Sequence, residues 1–324
     1  MTHRAALLSG TAFALAAGLM WGLVFIAPLL LPAYPAALLS VGRYLAFGLI
    51  ALPLAWLDRQ RIAELTRADW REAARLALVG NLLYYLLLAA AIQRAGGPLP
   101  TMIIGTLPVV IAVTSNLRDA RRDGRLPWAR LAPSLALIAA GIALVNRAEL
   151  QQLQPGTDLG RYATGALLAV GAVACWTWYP IRNADWLRNH PGRSPSTWAT
   201  AQGIATLPLA AIGAIGLALF GTGGDFALPF GPTPGRFIAL MFAIGLFASW
   251  LGTLCWNEAS QRLPTTLSGQ LIVFETLSAL AYAFMLRGQA PAPGTLVGVA
   301  LLVAGVAWAL RARPTPIAAE AHAG

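Results

Sequence analysis

Leu78 to Val113 reads LVGNLLYYLLLAAAIQRAGGPLPTMIIGTLPVVIAV. Two apolar runs meet there at Arg94-Ala-Gly-Gly-Pro98. At a rise of about 1.5 Å per residue, each run with its flanks is long enough to cross a bilayer. Polar residues inside a span cost free energy in hydrocarbon. Even so, Asn81, Tyr84 and Tyr85 interrupt the first run and Pro108 the second. Asn81, Tyr84 and Tyr85 stand at i, i+3 and i+4, which puts them on one helical face. A polar-aromatic stripe in an otherwise apolar helix is expected to face a water-filled cavity.

The stretch recurs further along. Ala259-Ser-Gln-Arg-Leu-Pro264 echoes Ala91-Ile-Gln-Arg-Ala-Gly96. At a constant offset of 168 residues, Gln93 falls on Gln261, Arg94 on Arg262, Leu99 on Leu267 and Ile104 on Ile272. Pro108 falls on Thr276, just after Glu275. A second echo joins Leu137-Ile-Ala-Ala-Gly141-Ile-Ala-Leu-Val-Asn-Arg147 to Leu301-Leu-Val-Ala-Gly305-Val-Ala-Trp-Ala-Leu-Arg311. A third runs without gaps from Gly10–Phe25 to Gly165–Pro180 and sets Trp176 on Trp21. The chain reads as two copies of one unit.

Composition gives the environment. Of 324 residues, 57% are hydrophobic and 11% charged, and the mean hydropathy is +0.64. A soluble domain carries about 25% charged residues. Apolar runs long enough to span recur from end to end, so the chain reads as a polytopic, all-α membrane protein. The formal net charge is +10, but the basic residues sit in short segments between spans, where topology needs them. Nucleic acid is therefore not an expected partner. All 23 basic residues are Arg. Without Lys there is neither a Walker A loop nor a Schiff-base lysine. Cys175 and Cys255 fall within spans and read as small apolar filler. His3, His190 and His322 fall outside spans. No cofactor and no metal site is expected. Arg4 followed by an apolar run imitates a signal peptide and reads as an uncleaved first helix.

Ten spans are expected, near residues 6–28, 35–57, 72–93, 98–117, 130–147, 161–184, 196–219, 234–261, 264–286 and 293–311. The first five form one repeat, 1–150, and the last five a second, 151–324. Segment 148–160 reads as the linker between them, the Gly223-Gly224-Asp225 run as a turn, and the tail beyond Arg313 as disordered. With the N-terminus inside, seventeen Arg fall on the inner side and five on the outer. The positive-inside rule then puts both termini in the cytoplasm. Arg43 lies well inside a span, a position that calls for a cavity, a partner or a snorkelling path. Because five is odd, the second copy must enter the membrane from the opposite side. Inverted repeats of this kind build secondary transporters, with the substrate near the midplane between the copies.

Trp21-Gly22-x-x-Phe25, Arg43, the Gln-Arg hairpin leading to Pro108 and the Gly141 and Gly305 closing helices together resemble the drug/metabolite transporter superfamily, EamA type. Trp176 and Trp256-Asn257 further resemble the YddG-type amino-acid exporters. Those exporters carry Trp-Pro where this chain has Leu107-Pro108. The resemblance implies a ten-helix bundle whose central cavity is lined by helices one, three, four, six, eight and nine.

The residues themselves point to Trp21, Asn81, Tyr84, Tyr85, Trp176, Tyr179, Asn257 and Gln270 as substrate-binding candidates. Amphipathic rings suit small organic zwitterions and cations. Glu275 is a carboxyl in a low-dielectric setting and a candidate to carry a coupling proton. Pro108 and Pro180 are hinge candidates. Glu258, nearer the inner end, reads as solvated. The expected activity is export of small metabolites, amino acids and aromatic ones among them, across the inner membrane by alternating access, with the bilayer and a small substrate as partners. Export of drugs or cationic compounds is the alternative. An intramembrane enzyme is disfavoured, since no Asp pair and no His-Glu-x-x-His lies within a span.

Overall fold

The computed structural model describes residues 3–95, 98–118, 127–150, 158–221, 226–288, 290–291 and 293–311. The basic segment 119–126, most of the linker, the Gly223-Gly224-Asp225 turn and the tail lie outside the described residues. Among the described residues every regular element is helical. In a bilayer core no water can satisfy a backbone amide, so apolar chain must close its own hydrogen bonds, and a helix does that locally.

Among the described residues, seven helical stretches are long and apolar enough to cross a membrane: Ala5–Leu30, Ala36–Leu57, Arg67–Ala95, Leu159–Asn189, Pro195–Phe220, Pro234–Arg262 and Leu267–Leu286. Three apolar helices are shorter: Leu107–Arg118, Leu131–Leu144 and Pro293–Gly305. Leu52, Leu167, Ile212, Ile215 and Leu219 point outward and are exposed. An outer coat of this kind matches lipid rather than water.

The helices start where side chains can cap them. Thr66 and Asp69 form a reciprocal capping box, with Thr66 N donating to Asp69 Oδ2 at 2.8 Å and Asp69 N to Thr66 Oγ1 at 3.2 Å. Asp158 accepts from the amides of Gly160 and Arg161. Ser194 caps a helix whose first residue is Pro195.

Several expected spans are interrupted, and the interruptions have a pattern. Ala77–Leu83 is a π-helical segment, and so is Gly245–Leu251, which begins 168 residues later. The fourth expected span breaks between Ile104 and Leu107. The ninth breaks at Ile272, again 168 residues from Ile104. One expectation shifts. Pro180 lies inside an unbroken helix, Leu159–Asn189, whereas the matching first helix gives way to a tight 3₁₀ turn at Leu23–Phe25. Pro108 occupies the second position of its helix, where its missing N–H costs nothing.

Close helix contacts exchange in pairs. A Cβ on Gly141 would meet Gly298 O at 2.6 Å and Leu302 N at 2.9 Å. A Cβ on Gly305 would meet Ser134 O at 2.9 Å and Ile138 N at 3.1 Å. Each of these positions in Trp128–Leu150 lies 164 residues before its counterpart in Pro293–Arg311. Likewise Gly10 packs on Leu263, while Gly165 packs on Ala95. Small residues let membrane helices approach closely enough for dispersion to hold them.

Candidate functional site

The helices bring five of the nominated side chains into one cluster. Trp21 and Trp176 meet edge-on with ring centroids 5.0 Å apart. Tyr84 stacks on Trp176 at 4.5 Å, and Tyr179 stacks on it at 5.0 Å. The Trp176 indole N–H donates to Glu275 Oε2 at 3.3 Å. The Tyr84 hydroxyl lies 3.5 Å from Glu275 Oε1. Trp256 adds a third indole, 5.2 Å from Trp21. One carboxylate thus sits within a wall of five aromatic rings, and each member is at most 5% exposed. Within this cluster the rings are packed on one another.

Arg43 lies beside this cluster. Of the roles open to it, the structure shows a partner. Its Nε donates to Ser249 Oγ at 3.0 Å. Its guanidinium sits 4.7 Å from the Tyr85 ring and 4.9 Å from the Tyr44 ring. The chain does not snorkel; Arg43 is 4% exposed and its NH1 atom has no hydrogen-bond partner. Tyr85 turns its hydroxyl to Val24 O at 3.4 Å. Tyr84 and Tyr85 therefore divide the work, one facing Glu275 and the other Arg43.

Asn81 lies one turn before Tyr84, and its side chain is taken up by a neighbouring helix. It sits in the π-helical segment Ala77–Leu83, which has more residues per turn than an α-helix. It donates to Thr206 Oγ1 at 3.3 Å. Ser249 lies in the second π segment, 168 residues from Asn81, and holds Arg43. Gly80 fits the same bend tightly: a Cβ there would meet Tyr179 Cδ2 at 2.1 Å.

Asn257 belongs to a buried polar chain further along the bundle. It accepts from Asn183 Nδ2 at 2.8 Å and donates to Pro195 O at 3.1 Å. Asn183 Oδ1 accepts from Trp198 Nε1 at 2.9 Å and from Gln202 Nε2 at 3.1 Å. Tyr179 closes the chain by donating to Gln202 Oε1 at 2.9 Å. The network links the aromatic cluster to the end of the bundle that carries Arg182 and Arg193. Asn183 and Trp198 gave no signal in the sequence; a lone Asn near a span end is ordinary. Trp256 was legible only through its pairing with Asn257.

Beyond the network, ion pairs tie the two halves of the chain. Arg182 holds Glu72 through Nε at 2.5 Å and NH2 at 3.1 Å. Arg193 holds Glu64 at 2.6 Å. Arg118 pairs with Asp185. Trp186 donates to Asp69 at 3.0 Å, and His190 stacks on Trp186. Glu258 is paired with Arg262 on the same helix, so it is not simply solvated. Among the described residues no group of three His, Cys, Asp or Glu is placed to hold a metal ion. Cys175 and Cys255 are both free.

Comparison with known proteins gives this geometry its context. A family profile described as the EamA-like transporter family matches residues 8–147. Inner membrane protein YtfF of Escherichia coli (strain K12) is 56% identical over 311 residues, covering 95% of this chain and 97% of that protein. The chain belongs to the EamA-like transporter family. It is therefore a chain of a transporter family, with several helices long and apolar enough to cross a membrane. A solved crystal structure shares the fold with a TM-score of 0.70, over 93% of this chain and 96% of that one, at 19% identity.

Proposed function

We propose that this member of the family exports small zwitterionic metabolites of the amino-acid class from the cytoplasm, by alternating access across the inner membrane. One observation carries the reading. A carboxylate and a guanidinium, Glu275 and Arg43, are both buried near the same aromatic wall, and neither is neutralised by the other in an ion pair. Burying unpaired opposite charges is costly unless a ligand completes them. An ammonium group suits Glu275 and the surrounding ring faces. A carboxylate suits the open NH1 of Arg43. Apolar or aromatic substrate side chains suit the rings between them.

The architecture we propose for this work is ten spans, as two five-helix units, 1–150 and 151–324, inserted in opposite senses with both termini cytoplasmic. The 168-residue spacing of the π segments and the exchanged glycine contacts support it. Two copies facing opposite ways can open one site to either side at similar energy. In this reading Pro108 and the Leu23–Phe25 turn serve as hinges, and Glu275 loads and releases a coupling proton. Inner-membrane placement follows the relative YtfF.

The second reading is export of drugs or organic cations, favoured by Glu275 among the rings. Proteoliposome transport separates the two. Counterflow with a panel of amino acids and with the amines lacking their carboxylate, each with and without a pH gradient, is the experiment. Amino acids moving, and amines moving only after Arg43→Gln, support the zwitterion site. Amines moving in the native protein, with amino acids excluded, overturn it.

A further inference from the structure

Seven buried side-chain atoms among the described residues have no hydrogen-bond partner. Five of them fall on Leu107–Arg118, Gly252–Arg262 and Thr265–Leu271, the last of which packs against the other two: Ser115 Oγ, Trp256 Nε1, Ser260 Oγ, Thr265 Oγ1 and Gln270 Oε1. Each of these residues is at most 2% exposed. Buried serines in spans ordinarily donate to a nearby carbonyl. Ser278 does so to Phe274 O at 2.7 Å, and Ser134 to Gly305 O at 2.8 Å. Ser115 and Ser260 do not. Leaving five such groups unpaired within one region of a membrane bundle is costly, so something small and polar must pair with them.

Their positions form a line. Trp256 touches the ring cluster at Trp21. Ser260 is one turn further along Gly252–Arg262, toward Arg262. Thr265 opens the next helix, Thr265–Leu271, after the turn at Leu263-Pro264. Gln270 lies near the end of that helix, five residues before Glu275. Ser115, on Leu107–Arg118, faces the same seam. Gly269 packs so closely on that helix that a Cβ would meet Ile111 Cγ2 at 2.5 Å. The line thus runs from Glu275 to the end of the bundle marked by Arg118 and Arg262.

We infer that Ser115, Trp256, Ser260, Thr265 and Gln270 line a hydrated passage between Glu275 and the Arg118–Arg262 end of the bundle. Water pairs with the five orphaned groups and gives the carboxylate exchange with the cytoplasmic solution while the outer side is closed. The inference deepens the reading of Glu275 as the coupling residue, and it rests on that reading only for what the passage delivers. A proton arriving from hydronium at one end protonates the carboxylate and leaves water behind, so charge and atoms balance.

Thiol labelling tests it, because maleimides attack the thiolate, which forms only where water reaches. The background is the full chain carrying Cys175→Ser and Cys255→Ser. Ser115→Cys, Ser260→Cys and Thr265→Cys are near-isosteric and are scored only where transport is retained. Ser134→Cys is the dry control. We expect N-ethylmaleimide to label the three passage variants at least about tenfold faster than the control. We also expect a charged maleimide to label them from the cytoplasmic face alone, in inverted vesicles. Labelling no faster than Ser134→Cys, or from the outer face alone, overturns the passage, even if Glu275→Gln abolishes transport. Fast cytoplasmic labelling with normal transport in Glu275→Gln keeps the passage and removes the coupling role.

Discussion

The indole N–H of Trp176 donates to the carboxylate of Glu275 across 3.3 Å, and both residues are almost fully buried. The pair joins two long helices, Leu159–Asn189 and Val273–Arg287. An aromatic wall and an ionisable group are thereby held as one unit.

Glu275→Gln keeps the shape of the acceptor but cannot gain and lose a proton. The Gln oxygen can still accept from the Trp176 indole while its amide donates to the Tyr84 hydroxyl, which should preserve the fold. We expect export to fall by at least about tenfold, a difference of about 1.4 kcal/mol in the limiting barrier. The residual flux should no longer respond to an imposed pH gradient. Proteoliposome flux at several gradients measures both, and an unchanged gradient response would remove Glu275 from coupling.

Trp176→Phe keeps stacking on Tyr84 and Tyr179 but deletes the donor to Glu275. Trp176→Ala deletes both. Aromatic pairs contribute about 0.5–1.5 kcal/mol beyond their area. We expect the Phe variant to bind substrate several-fold more weakly and the Ala variant to bind it far more weakly still. Quenching of tryptophan fluorescence by substrate, with Trp21 and Trp256 as the reporters left within the cluster, gives the ranking.

Glu72 and Arg182 form a two-pronged contact at one end of the bundle, with Glu72 largely covered and Arg182 half-exposed. Solvent screening limits such a pair to about 1 kcal/mol, but that is enough to bias two conformations of similar energy. Glu72→Arg should lower transport, and adding Arg182→Glu should restore part of it. No rescue by the double variant would mean that the pair has no gating role.

Gly141→Ala places a methyl 2.6 Å from Gly298 O, which is backbone and cannot move aside. Overpacking of this kind costs about 1–3 kcal/mol. Gly216→Ala meets nothing within 4 Å and should be neutral or mildly stabilising. Thermal unfolding in detergent should separate the two. Equal melting temperatures would mean that the Gly141 contact is looser than described.

The proposed insertion of the two units in opposite senses predicts that labels at Ala120 and Asp225 report from opposite faces of the membrane. Impermeant reagents on right-side-out and inverted vesicles decide it. Access to both from one side would rule out the inverted arrangement.

By itself, the sequence determined the membrane-spanning, all-helical class, because long apolar runs with few charges have no other stable environment. It also determined the internal recurrence, since residue spacing is preserved in the chain whatever the fold does. Trp21, Tyr84, Trp176, Tyr179 and Glu275 were legible as unusual residues in apolar helices. Only the tertiary structure decided which of them meet. The two π-helical segments are invisible to a period of 3.6 residues, and so was the bond from Asn81 to Thr206, 125 residues away. Asn257 was drawn toward the rings, while Asn183 holds it in a polar network that reaches them through Gln202 and Tyr179. Arg43 could be given several roles until Ser249, 206 residues away, supplied its partner. Local spacing fixes what one helix presents, but contacts between distant helices depend on packing, and no single stretch of chain contains that information.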